Sequence, residues 1–164
     1  MLLQALDCHR LHILSGVTST SANNGACDAE LEETFVSNLR YAAERLEREG
    51  VMVLIEAINI RAKPDYFLPD PAKAERIVRR VAHPNVRLMF DIYHAQIVGG
   101  DLTRRIRDWA PVIGHVQIAQ VCTKVILMLC IVLLQILNCL TSYEFFYFKE
   151  FLCLSGGSLT LKLA

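Results

Sequence analysis

The sequence predicts an α/β fold made of parallel β/α units. Short apolar, β-branched runs alternate along the chain with longer amphipathic stretches, which is the order that parallel strands and their crossover helices require. The runs are apolar at nearly every position, as expected of strands that are covered on both faces. A length of 164 residues with 53% apolar side chains is sufficient for one domain with a buried core.

Four strands are predicted from the apolar runs. Each run is short and rich in β-branched residues, and it is bounded by charged or turn-forming residues. The predicted strands lie within residues 10–16, 51–59, 86–94 and 115–121.

Three helices are predicted between these strands. The first has apolar side chains on one helical face and charges on the other, and it stops at Gly50. The second opens at Asp70, an N-cap residue that Pro71 follows in the first helical position. The third opens at Asp101. The predicted helices cover residues 29–49, 70–81 and 102–109.

In three of the predicted strands a polar group with possible chemistry intrudes after an apolar stretch. Glu56 ends the second apolar stretch, Asp91 and His94 end the third, and Gln117 interrupts the fourth. Barrel enzymes place catalytic groups at the carboxyl ends of several strands, and no glycine-rich phosphate loop follows any run, which disfavours a dinucleotide-binding open sheet. We therefore predict about four units of a partial (β/α)8 TIM barrel. Because a barrel needs eight strands, a closed barrel is not predicted from this chain alone.

These polar residues are the candidate site. Glu56 is either functional or part of a buried salt bridge to an arginine, because a buried carboxylate needs compensation. Asp91 and His94 have a spacing that can bring a carboxylate and an imidazole into one site, and Gln117 offers an amide oxygen or a hydrogen bond to a neighbouring strand. His12 either contacts substrate or is a hydrogen-bonded core residue. Such oxygen donors favour Mg²⁺ or Mn²⁺ over a thiolate zinc site.

Charge and cysteine content exclude several classes of partner. The 17 basic residues balance the 17 acidic ones, so we expect no nucleic-acid partner and no binding to an anionic membrane. The six cysteines form no C-x-x-C pair, and no signal peptide is recognisable at the N-terminus. We expect free thiols in a reducing compartment, the cytoplasm.

The composition changes after Val121. Residues 122–164 hold only three of the basic and two of the acidic residues, and residues 125–134 are continuously apolar. We interpret residues 1–121 as the partial barrel domain and 122–164 as an apolar tail that is not a native part of it, such as translated intronic sequence. A tail-anchored membrane protein is the alternative, with a span near 125–143 that would have to accept Gln135 and Asn138.

Several motifs, in order and spacing, resemble the hydroxypyruvate isomerase family of the xylose-isomerase-like barrel group. The similarity covers about Leu3 to Val121. It implies a (β/α)8 barrel that interconverts hydroxypyruvate and 2-hydroxy-3-oxopropanoate (tartronate semialdehyde) through an enediol, with a divalent cation. The segments that carry it are Leu54-Ile-Glu-Ala-Ile-Asn59, Pro64-Asp-Tyr-Phe-Leu68, Phe90-Asp-Ile-Tyr-His-Ala-Gln96, Gly100-Asp-Leu-Thr103, Ile106-Arg107 and Gly114-His-Val-Gln-Ile-Ala-Gln120.

The resemblance also implies roles for individual residues. Glu56 matches the family's first catalytic glutamate, which is also a metal-site carboxylate. Asp91 and Gln117 match further metal-site positions, and His94 matches a histidine that contacts substrate. His12 is our additional candidate for a substrate contact, on the strength of its position in the first strand.

The sequence departs from the family pattern at both ends. It starts at what would be the third strand or the helix before it, and the family's second catalytic glutamate matches neither Glu144 nor Glu150. An alternative function is therefore an inactive fragment that acts as a binding or regulatory partner. Because such a fragment exposes strand edges, we expect a homo-oligomer or an insoluble chain rather than a stable monomer.

Overall fold

The computed structural model describes residues 7–18 and 25–119, together with two short strands near the C-terminus. The first four strands are parallel neighbours in chain order, with one or two helices between successive strands. The elements are β1 (Arg10–His12), α1 (Asp28–Glu47), β2 (Met52–Glu56), α2 (Pro71–Val81), β3 (Val86–Asp91), α3 (Ile92–Val98), α4 (Leu102–Trp109), β4 (Ile113–Ala119), β5 (Cys153–Ser155) and β6 (Ser158–Leu161).

The predicted fold class is confirmed: the four parallel strands and their helices form half of a TIM barrel. Beyond β4 the sheet continues with β6 and then β5, both antiparallel to their neighbours. Most of the predicted tail, including the candidate span at 125–143, lies outside the described residues, so the boundary at residue 121 stays a prediction. No helix in the ranges 7–18 and 25–119 combines the length and the apolar character that crossing a bilayer requires.

The sheet has two chemically different faces. Register partners in a parallel sheet share a face and successive residues alternate between faces. The helix-side face packs with the helices into one apolar core and consists of Val53, Ile55, Val86, Leu88, Phe90, Val116 and Ile118, all buried. The opposite face, here called the inner face, carries Arg10, His12, Met52, Leu54, Glu56, Arg87, Met89, Asp91, His115 and Gln117.

Helix α2 begins and ends as its sequence predicts. The Asp70 carboxylate accepts a hydrogen bond from the backbone N–H of Ala72 at 2.8 Å, and Pro71 occupies the first turn. The helix ends at Ala82, which adopts the left-handed conformation with φ of 54°. Helix α1 ends before Gly50, whose φ of 68° suits a residue without a side chain.

The prediction that the third strand continues to His94 is wrong. Strand β3 ends at Asp91, and residues 92–98 form helix α3. The cause is capping: Asp91 Oδ1 accepts hydrogen bonds from the backbone N–H groups of Tyr93 at 2.7 Å and His94 at 3.2 Å. The Asp-x-x-His spacing is therefore the first turn of a helix, with His94 on it.

Strand β4 contains one residue that pairs with nothing on β3. Leu88 pairs with Ile113, but Met89 pairs with His115, so Gly114 is the extra residue of a β-bulge. A Cβ atom at Gly114 would lie 2.5 Å from Cβ of Arg87 and 2.9 Å from Sδ of Met52, so the close approach requires glycine. After this bulge Asp91 pairs with Gln117 rather than with Val116, which brings Gln117 to the inner face.

Candidate active site

The predicted site residues meet at the carboxyl ends of the strands. Glu56 at the end of β2 and Asp91 at the end of β3 are only 6% and 5% exposed, although both are acidic. One ligand atom from each of Glu56, Asp91 and His94 lies within 4.8 Å of the others. The structure thus brings together residues that are up to 38 positions apart in the chain, on three separate elements.

Glu56 is enclosed by two imidazoles. Its Oε2 lies 3.4 Å from Nε2 of His12, and its Oε1 lies 3.8 Å from Nε2 of His94. Burial, and secondly the charge of Asp91, raise the pKa of Glu56 to about 8. A salt bridge to an arginine would lower this pKa instead. The catalytic role of Glu56 stays a prediction.

Asp91 caps a helix with one carboxylate oxygen and also belongs to the buried acidic cluster. Its Oδ1 caps α3, and Oδ2 takes no part in this cap. Burial raises the pKa of Asp91, while His94 and the backbone N–H groups of His94 and Tyr93 oppose the shift. Two buried carboxylates side by side, with raised pKa values, form a site that a positive ion would stabilise.

Gln117 lies beside Asp91 on the inner face. The two residues are register partners on β3 and β4, and the side chain of Gln117 is half-buried. Glu56, Asp91 and Gln117 therefore stand on one face of three adjacent strands. Their donors are carboxylate and amide oxygens, which suit a hard divalent cation such as Mg²⁺ or Mn²⁺.

His12 lies on the other side of Glu56, at the end of β1. Its Nε2 is buried and has no hydrogen-bond partner among the residues that the structure describes. Burial lowers the pKa of His12, which favours a neutral ring at neutral pH. The contact with Glu56 places His12 at the site, and its binding of substrate stays a prediction.

Sequence reasoning missed Asn59, which lies three residues after β2 and is 1% exposed. Its Oδ1 accepts hydrogen bonds from the backbone N–H groups of Arg61 and Ala62, each at 3.0 Å. Its Nδ2 lies 2.7 Å from Nδ1 of His94. An asparagine shortly after a strand is typical of such a side-chain turn, so the turn was predictable from the sequence, whereas the contact with His94 was not.

Asn59 is one of the residues that line a cavity of about 330 Å³. The cavity separates the loop after β2, at Ile60 and Arg61, from Ile97 and Val98 of α3. Neither Glu56 nor Asp91 lines it, so the carboxylates and this cavity are different features of the same end of the sheet.

Comparisons with known proteins agree with this architecture. A family model described as "Xylose isomerase-like TIM barrel" matches residues 2–125. A Danio rerio protein named "Putative hydroxypyruvate isomerase" is 45% identical over 119 residues, which make up 72% of this chain and 43% of the relative. The "2-oxo-tetronate isomerase" of Pectobacterium atrosepticum is 36% identical over 117 residues, or 71% of this chain and 43% of the relative.

Among solved structures, the chain is similar to the "AP endonuclease, family 2" of Brucella melitensis. The TM-score is 0.67 at 45% identity, over 73% of this chain and 44% of that one. The chain thus spans less than half the length of the proteins that it matches.

Proposed function

Because the chain belongs to the xylose isomerase-like TIM barrel family, we propose that its site catalyses the interconversion of hydroxypyruvate and 2-hydroxy-3-oxopropanoate. The observation that carries the proposal is the buried Glu56 carboxylate, which has a pKa raised to about 8 and contacts two imidazoles. A base whose proton affinity is close to the working pH is the group that an isomerisation through an enediol requires.

Glu56 acts as the base in this proposal. Its carboxylate takes a proton from C3 of hydroxypyruvate, and the C–H electron pair becomes the C2–C3 double bond of an enediol. The carbonyl electron pair moves to the C2 oxygen, which takes the proton that the C3 hydroxyl loses. Glu56 then returns its proton to C2, and C3 becomes the aldehyde carbon. His12 and His94 lie on either side of Glu56, where they can contact the two oxygens of the enediol.

Glu56, Asp91 and Gln117 are the residues that we propose to hold a divalent cation, Mg²⁺ or Mn²⁺. A bound cation supplies polarisation of the substrate carbonyl and stabilises negative charge on oxygen. The fit rests on the buried carboxylates and their raised pKa values, because nearby positive charge would relieve the electrostatic penalty of burying both.

The substrate class is a small 2-oxo acid. Hydroxypyruvate is our first choice because the motifs resemble that family, and a four-carbon 2-oxo-tetronate is the second because a relative carries that name. We place the activity in the cytoplasm, in keeping with free thiols at Cys8 and Cys27. We also propose that the chain forms a homo-oligomer, for which light scattering on the purified chain is the test.

Hydrogen exchange at C3 of hydroxypyruvate tests the assigned base. The purified chain with Mn²⁺ or Mg²⁺ should incorporate deuterium from D₂O into C3, because exchange needs only the removal and return of one proton. Glu56→Gln should lower the exchange rate by about 10²-fold or more, the usual scale of losing a general base.

Glu44→Gln is the matched control, because Glu44 is exposed on α1, three residues before the end of the helix that precedes the start of β2. It should exchange at the wild-type rate. Undiminished exchange in Glu56→Gln at saturating metal would show that Glu56 is not the base. A wild-type chain with neither exchange nor turnover on either substrate would overturn the proposed activity and favour a binding or regulatory partner.

A further inference from the structure

The amide of Asn59 has only one orientation that satisfies its neighbours. Its oxygen faces two backbone N–H groups, those of Arg61 and Ala62, at 3.0 Å each. A flipped amide would place NH₂ against these two donors and leave all of them unpaired inside the protein. The loop after β2 therefore fixes Nδ2 of Asn59 towards His94.

Nδ1 of His94 consequently faces donors only. Nδ2 of Asn59 lies 2.7 Å away, and the backbone N–H of the same residue points at this ring nitrogen from 3.4 Å. Neither nitrogen accepts a hydrogen bond, because its lone pair is delocalised into the amide carbonyl, so Nδ1 must accept and cannot carry a proton of its own. A neutral imidazole then has its proton on Nε2.

The proton on Nε2 of His94 matters because Nε2 is the ring nitrogen that faces the candidate metal site. Nε2 of His94 lies 3.8 Å from Oε1 of Glu56, inside the cluster whose geometry would admit a metal ion. A ring nitrogen that carries a proton has no lone pair in the ring plane and does not ligate a cation. The two carboxylates of the cluster keep their lone pairs.

We propose that Asn59 is a positioning residue that holds His94 as the Nε2–H tautomer, which makes His94 a hydrogen-bond donor at the site and excludes it from the metal ligands. In the isomerase, this donor faces an oxygen of the substrate. That last role rests on the proposed function, whereas the tautomer does not, because it follows from contacts within the chain.

The tautomer is measured directly by ¹⁵N NMR on the full chain labelled at histidine. The His94 signals are assigned by their loss in His94→Gln. We expect a protonated Nε2 and an unprotonated Nδ1, both in metal-free buffer and after addition of Mg²⁺. A proton on Nδ1, or loss of the Nε2 proton when Mg²⁺ is added, overturns the proposal.

Asn59→Asp isolates the contribution of Asn59. Aspartate keeps an oxygen for the N–H groups of Arg61 and Ala62 but replaces the Nδ2 donor by an acceptor, so a proton should appear on Nδ1 of His94. Asn38→Asp, which introduces the same charge at an exposed position of α1, should leave the wild-type tautomer in place. An unprotonated Nδ1 in folded Asn59→Asp contradicts the assigned role, and if this variant does not fold, the wild-type spectrum still decides.

The exchange rate and the tautomer are independent measurements. Asn59→Asp should lower the deuterium exchange rate by about tenfold or more, because the Nε2–H donor that faces the charged substrate oxygen would be lost. Absence of exchange in the wild type, together with the expected Nε2–H signal, would refute the isomerase and leave the tautomer standing. The reverse result would refute the role of Asn59 alone.

Discussion

The two faces of the sheet are built from the same strands and have opposite energetic roles. On the helix-side face the buried side chains are apolar, and each contributes about 1.5–3 kcal/mol to stability. On the inner face the buried Glu56 and Asp91 have raised pKa values, so that burial of their charge works against folding. The neighbouring residues Ile55 and Glu56 of β2 differ in this way: burial of Ile55 stabilises the fold, and burial of the charged Glu56 destabilises it. Neighbouring substitutions should therefore change stability in opposite directions.

The largest expected effect is on the helix-side face. Ile55 is fully buried in the core, and Ile55→Ala should lower the free energy of unfolding by about 2–5 kcal/mol, because it removes buried methyl groups and leaves a cavity. Urea unfolding measures this, and Ile55→Val, at about 0.5–1.5 kcal/mol, serves as the milder companion. Folded Ile55→Val should bind Mn²⁺ as the wild type does. A loss below about 1 kcal/mol for Ile55→Ala would mean that this face does not carry the stability.

The next largest effect is a dependence of the free energy of unfolding on pH, which Glu56 causes. With a pKa of about 8 in the folded chain against an ordinary value of 4.5, the folded state holds the proton more tightly than the unfolded state does. Between these two values the metal-free chain should therefore lose stability as pH rises, by up to a few kcal/mol. Glu56→Gln should remove this loss, and urea unfolding with a chelator present measures both proteins.

The groups that face Glu56 set the useful pH range. Asp91, with its raised pKa, adds to the loss of stability with rising pH. His12 and His94 have lowered pKa values, so their contribution increases as pH rises and is complete above about 6.5. Measurements from pH 6.5 to 8 therefore isolate the carboxylates. Stability in Glu56→Gln that falls as steeply as in the wild type over this range contradicts the assignment.

The smallest of these effects separates the two functions of Asp91. Asp91→Asn keeps an oxygen that can cap α3 but removes the charge, so the affinity for Mn²⁺ should fall by at least about tenfold, or roughly 1.4 kcal/mol. Helix content by circular dichroism should not change. Asp101→Asn, at the exposed start of α4, is the control and should bind Mn²⁺ normally. Unchanged affinity in Asp91→Asn would remove Asp91 from the cation site.

Much of this contrast was predictable from the sequence, and the exceptions have physical causes. Glu56 and Asp91 stood out because acidic residues interrupt otherwise apolar strands. Helix α3 was missed because its apolar residues continue the pattern of β3, and only the side-chain cap of Asp91 decides where the strand ends. Asn59 was missed because its contact with His94 depends on the path of a loop, which local pattern does not encode.

The unpaired Gly114 also bears on how β4 tolerates changes in length. Ile113 and Gln117 are an even number of residues apart and would share a face in a regular strand, yet they lie on opposite faces. Deleting Gly114 would leave the partners of Leu88 and Asp91 as they are and yield a regular strand, whereas a single added methyl group would collide with Arg87 and Met52. Deletion of Gly114 should therefore disturb the site less than replacement of Gly114 by any larger residue.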